Sequence, residues 1–259
     1  LDGNYPVGTR NVALGDTALG SITSGAFNNI AIGDAALTSL IDGDNNVAIG
    51  RSALTSETTG QANTSVGHET LISSNTGSFN TAIGHTALNQ NTTSSNNTAV
   101  GYQAGYSNTT GAQNTFIGQG AGDSNTTGSN NTALGRTSLG ANTTGGYNVA
   151  LGRDALYSNT TANENVAVGY RSMITNTTGA DNTAVGTDSM YDNTSGQKNA
   201  AFGKAALGDN TTGDFNVAIG PYSLRLNTTA SSNTAVGYQS LYANTTGAEN
   251  IAIGRSALD

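Results

Sequence analysis

The sequence predicts an all-β fold, a parallel β-roll or β-solenoid of about fifteen 17-residue coils, and three observations point to it. The segment Asn-x-Ala-(Ile/Val/Leu)-Gly recurs fifteen times with small variations, its glycine falling at Gly15, Gly33, Gly50 and on to Gly254. The first interval is 18 residues and the other thirteen are 17. A fixed period of this length marks supersecondary units that bury their apolar faces by stacking. Composition agrees: of 259 residues 35 are Gly, 35% are hydrophobic and 10% are charged. A disordered chain carries more charge and proline.

Numbering each unit from its Asn, the consensus is N-T-A-V-G-Y-Q-A-L-Y-x-N-T-T-G-A-x. Positions 2 to 4 pair Val or Thr with an aliphatic residue around a small Ala, the period-2 pattern of a short strand. Gly at position 5 ends it. Positions 8 to 10, Ala/Ser-Leu-x, read as a second short strand. The Asn-Thr-Thr-Gly segment at positions 12 to 15 is dense in turn formers, with Gly supplying positive φ. No helix of ten residues fits between turns this close. Each unit is therefore expected to be one coil of two strands and two turns, with coils about 4.8 Å apart. The aliphatic residues are expected to point to the coil axis, and the variable positions 6, 7, 10, 16 and 17 to solvent. Residues 1–10 are expected to be a lead-in or partial coil, and 11–259 one repeat domain whose last unit stops at Ser256-Ala257-Leu258.

Two exchanges bear on packing. Phe202 replaces the aliphatic residue at position 4 where position 2 shrinks to Ala200, so positions 2 and 4 are expected to share a compartment. Phe116 replaces Ala at position 3 where two successive units lose their Leu, at Gly105 and Gly122. Positions 3 and 9 are thus expected to share a second compartment, read as spanning a subunit boundary. One thin coil leaves strand flanks exposed, which association of several chains remedies. The small Ala at position 3 is expected to let another backbone approach.

Several functions are disfavoured. No apolar run approaches eighteen residues, so no membrane-spanning helix is expected. Nine basic against 17 acidic residues, a net charge of -8, give no nucleic-acid footprint. No cysteine is present, so neither disulfides nor thiolate metal sites are expected. Catalysis needs a unique constellation in a concave pocket, whereas a strict repeat offers columns. No catalytic residue, cofactor or metal site is expected.

Asn46-Val47-Ala48-Ile49-Gly50, Asn148-Val149-Ala150-Leu151-Gly152 and Asn216-Val217-Ala218-Ile219-Gly220, with the following Ala155-Leu156, resemble the head repeat of YadA-like trimeric autotransporter adhesins. The resemblance covers Asn11 to about Asp259. It implies a left-handed parallel β-roll, a homotrimer of chains side by side, and a head or stalk segment at a cell surface. The unit here is longer than the adhesin repeat, by its Asn-Thr-Thr-Gly turn. Similar arrays also resemble parts of phage tail fibres.

His68 and His85 both occupy position 6, one coil apart, which brings a metal pair to mind; the mixed occupancy of that position favours a solvent column. Asn at positions 1 and 12 is expected to form in-register amide stacks that cap turns, although the position-12 triplets also match a glycosylation sequon. Columns of Thr at positions 13 and 14 suggest an ice-binding array. The surface-contact candidates are Tyr102, Tyr170 and Tyr238 at position 6, and Tyr106, Tyr157, Tyr191 and Tyr242 at position 10. The expected function is an extracellular adhesive fibre segment at a cell or virion surface, its partners further copies of itself and a host surface protein or glycan. A phage fibre segment, an ice-binding solenoid and a polymerising filament subunit are the alternatives.

Overall fold

A computed structural model describes residues 10–23 and 25–258. The expected lead-in lies, except for Arg10, outside the described residues. The chain is an all-β parallel β-solenoid of about fourteen turns at 17-residue spacing, with no helix among the described residues. Each strand has three residues, at repeat positions 2 to 4.

The chain divides into two compact units, residues 1–130 and 131–259. The first holds β1 (Val12–Leu14), β2 (Ile30–Ile32), β3 (Val47–Ile49), β4 (Thr64–Val66), β5 (Thr81–Ile83), β6 (Thr98–Val100) and β7 (Thr115–Ile117). Neighbours in this order pair parallel and in register, Val47 with Thr64 and Ile49 with Val66, for example. The second holds β8 (Thr132–Leu134), β9 (Val149–Leu151), β10 (Val166–Val168), β11 (Thr183–Val185), β12 (Ala200–Phe202), β13 (Val217–Ile219), β14 (Thr234–Val236) and β15 (Ile251–Ile253), paired the same way.

The expected second strand at positions 8 to 10 does not form. Positions 5 to 11 are turns, because residues 7 and 9 of most coils take the left-handed conformation, as in Ser52 (φ 58°) and Leu54 (φ 52°). Such residues break a pleat and are strained. Hydrogen bonds between coils hold them: Ser52 N–H donates back to Asp34 O at 2.8 Å, and Leu54 N–H forward to Thr70 O at 3.1 Å. The left-handed turn swings the position-9 side chain inward, and Leu37, Leu54, Leu71, Leu88, Leu139 and Leu156 are all fully buried.

Glycine serves two different purposes. At position 5 it takes φ of 125° to 142°, a region L side chains rarely enter. At position 15, where positive φ was expected, the backbone shows none; the reason is proximity. A Cβ on Gly77 would stand against the carbonyl of Ser94 in the next coil. Ser94, Ala162 and Ala230 occupy that position with real Cβ atoms, so the crowding is tolerated in some coils.

The interior is the reverse of the expected one. Ala at position 3 is fully buried in β2, β3, β5 and β6, while positions 2 and 4 stay half-exposed or exposed. Strand alternation is the cause. The side chains of Asn at position 1 turn inward, so position 3 must follow and positions 2 and 4 face out. The position-3 Ala therefore admits the coil's own Leu, not a foreign backbone.

The two compensations resolve accordingly. Phe116 is fully buried, and a Cβ on Gly105 would stand 2.7 Å from its Cδ2, with one on Gly122 closer still. Positions 3 and 9 do share a compartment, but it lies inside the chain's own coils rather than across a subunit boundary. Ala200 and Phe202 do share a face, and it is the outward one. In the same interior, Ser65 and Thr70 replace Ala in one coil and hydrogen-bond each other at 2.5 Å.

Candidate interaction surface

The buried polar residues form ladders. At position 1, Asn165 accepts on Oδ1 from Asn182 N–H at 3.0 Å and donates from Nδ2 to Gly179 O at 2.9 Å. At position 12, Asn108 Nδ2 donates both to Asn91 Oδ1 at 3.1 Å and to Gly111 O at 2.9 Å. Both amide hydrogens are engaged and the residue is fully buried. The sequon match at this column thus reflects turn chemistry. Burying these amides is tolerable because each finds partners.

The position-12 column changes material along the first unit. Ile22 and Leu40 give way to Glu57 and Ser74, and then to Asn91. Glu57 is buried; its Oε1 accepts from Gly60 N–H at 2.6 Å and its Oε2 from Ser74 Oγ at 2.7 Å. Burial pushes its carboxyl above the usual glutamate range, against those hydrogen bonds. Asp123 is raised in the same direction by burial.

Hydroxyls at position 13 are occupied: Thr160 Oγ1 donates to Thr177 O at 3.2 Å and Thr177 Oγ1 to Thr194 O at 3.0 Å. Position 14 is exposed in Thr110, Thr144 and Thr178. The two columns therefore differ, and do not make one open threonine array.

His68 and His85 lie one coil apart as expected. Their rings stack at 5.0 Å between centroids and 21° between planes, with Tyr102 continuing the stack at 5.6 Å from His85. Rings stacked face to face do not converge their nitrogens on a single ion. His68 Nε2 also accepts from Arg51 Nε at 3.0 Å.

The seven predicted Tyr differ in exposure. Tyr102, Tyr157, Tyr170 and Tyr238 are exposed, whereas Tyr106, Tyr191 and Tyr242 are half-buried. Tyr170 and Tyr191 meet through Arg171, whose guanidinium lies 4.7 Å and 5.1 Å from their ring centres and contacts Asp188 at 2.9 Å. Tyr238 packs edge-on to Tyr222 at 6.2 Å. Tyr157 lies over Gly140, where a Cβ would stand 2.9 Å from its ring. More exposed still are Phe79, Tyr147 and Phe215 at position 17, which their free variation signalled as a solvent column.

In each unit the outward strand face is a surface that the sequence reading placed inside. Its thirty positions in the two units together hold Val, Ile, Leu and Thr, with Ala200 and Phe202 the departures, and not one charged or amide side chain. Ile83 is 40% exposed, Leu134 48% and Phe202 41%. The signal was present in the invariant Asn at position 1: once it is taken as an internal ladder, parity turns positions 2 and 4 outward.

Comparison with protein-family models, curated proteins and solved structures finds no match. No helix among the described residues is long and apolar enough to cross a membrane.

Proposed function

We propose that the chain is a structural and adhesive segment of an extracellular fibre, on a cell or virion surface. Identical copies, three as the adhesin resemblance implies, lie side by side with their outward strand faces together. The observation that carries this reading is the composition of that face. A sheet face left to water alternates polar residues with the buried ones, and a row of exposed aliphatic side chains marks an interaction surface. Each half-exposed side chain leaves on the order of 50 Å² in solvent. The sixteen on β8–β15 together offer roughly 800 Å², one partner's share of a standard stable interface. The Tyr columns then stay outside, repeated by coil and by copy, where weak contacts to a host surface protein or glycan add up through avidity.

Light scattering over a range of concentrations tests this: a trimer mass is expected. Val149→Asp with Val166→Asp, placing two charges on the face, is expected to yield monomers with unchanged far-ultraviolet circular dichroism. A wild-type chain that stays monomeric throughout overturns the reading.

One observation favours the ice-binding reading as a second. Thr64, Thr81, Thr98 and Thr115 stand in register beside Val66, Ile83, Val100 and Ile117. Thermal hysteresis in the monomeric variant tests that array, which the two substitutions leave untouched.

A further inference from the structure

A strictly periodic face has no unique way to meet its own copy. Sliding one copy by a single coil, about 4.8 Å, again sets branched aliphatic side chains against their like. On β8–β15 the outward pairs are Thr132 with Leu134, Val149 with Leu151, Val166 with Val168, Thr183 with Val185, Val217 with Ile219, Thr234 with Val236 and Ile251 with Ile253. One coil breaks the series, β12, where Ala200 stands beside Phe202. Its neighbours in register are Val185 and Ile219 on the Phe side, and Thr183 and Val217 on the Ala side.

The exchange has the form already seen inside the coil, where Phe116 fills the space left by Gly105 and Gly122. Inside, the constraint is close packing. On a face open to water no such constraint acts, and a large residue needs no small one beside it. The small partner has a purpose when the face is covered by a surface at fixed distance. A surface that follows eight successive coils must share their spacing, which a second copy of this chain does, and the roughly 800 Å² available on this unit is one partner's share of a stable interface.

We propose that Ala200 and Phe202 set the axial register in which copies pack, each Phe202 ring seated at the level of the partner's Ala200. This rests on the reading that copies meet through the outward face. Slipped by one coil, Phe202 overpacks against Val and Thr while Ala200 faces a gap. Mismatches of this kind disfavour the slipped state about tenfold or more at each contact.

The test uses Ala200→Val with Phe202→Ile, which rewrites β12 as Val-Ala-Ile, the sequence of β13, and so preserves the fold. The chain has no cysteine, so Thr229→Cys on the exposed position-14 column carries a single spin label. Pulsed dipolar spectroscopy on the labelled parent is expected to give one narrow distance between copies. The double variant is expected to keep the oligomer mass while its distances spread into several components. Adding Val166→Ala with Val168→Phe to it moves the pair two coils away and is expected to restore one narrow distance. A double variant as narrow as the parent overturns the register proposal. A monomeric parent, recognised separately by its mass, removes the interface reading and the register with it.

Discussion

On one side of each strand stand Asn at position 1 and, in all but two coils, Ala at position 3; on the other stand, outside β12, the branched aliphatic and threonine side chains of positions 2 and 4. The inward side is partly polar and buried in the inner coils, the outward side apolar except for its threonines and half in solvent. A coil this thin has room for Ala and one Leu per turn, and it stacks because its amides bond in register from coil to coil. What is inside is decided by which side chains satisfy the backbone, and hydrophobicity alone points the wrong way. Substitutions on the two sides are therefore expected to fail differently, the inward ones unfolding the chain and the outward ones separating copies.

The largest effect is expected at Phe116. Its replacement by Ala leaves a cavity that Gly105 and Gly122 cannot fill, so the cost is expected near the upper part of the ~3–5 kcal/mol range for such changes. Denaturant unfolding measures it. Adding Gly105→Leu and Gly122→Leu is expected to recover most of the loss. Both glycines take φ near 60°, close to the 47° to 53° at which Leu88 and Leu139 are held in the same column. Failure of that rescue would mean positions 3 and 9 are not one compartment.

Next comes the ladder. Asn165→Ala orphans Asn182 N–H, now bonded to its side chain, and leaves Gly179 O with its other bond, from Asn176 Nδ2. At about 1–3 kcal/mol for an unsatisfied buried group, a loss of that size is expected in the same measurement. A change below about 1 kcal/mol would show that water replaces the amide and that the ladder is not a closed network.

The repeat length, the parallel stacking and the two Asn ladders were legible because each leaves a periodic trace: an invariant residue at a fixed interval. The pairing of Phe116 with Gly105 and Gly122 was legible for the opposite reason, as coupled breaks in the period. The inside–outside assignment was not, since Val, Ile and Leu at positions 2 and 4 look like a core to any rule that equates apolar with buried. The second strand was misread because Ala-Leu-x carries no mark of left-handed φ; Ser52 and Leu54 adopt it under the pull of bonds to neighbouring coils, which no local preference encodes. Of the seven Tyr, exposure could be inferred from variability at position 6, but not the half-burial of Tyr191 behind Arg171.

A smaller effect sharpens the comparison on the outward side. Ile219→Thr exchanges one half-exposed aliphatic side chain of position 4 for a smaller hydroxyl-bearing one. In chains separated by dilution or by the charged pair of substitutions, it is expected to cost about 1 kcal/mol or less. A cost like that of Phe116→Ala would place Ile219 in a core the fold does not show.

The smallest and most specific effect concerns Glu57, where the polar ladder meets the apolar Ile22 and Leu40. A carboxyl raised by burial favours the protonated form in the folded chain. Its contribution to stability is therefore complete below the ordinary glutamate range and is lost as pH rises through the higher folded value. Glu57→Gln keeps an acceptor for Gly60 N–H and removes the titration. As the pH rises above the ordinary glutamate range, about pH 4, the melting temperature of the parent is expected to fall relative to that of the Gln variant. Asp123 and the remaining carboxylates contribute to both proteins alike and cancel in the difference. Parallel curves would mean that Glu57 is ionised at no cost and that water reaches the ladder at this coil.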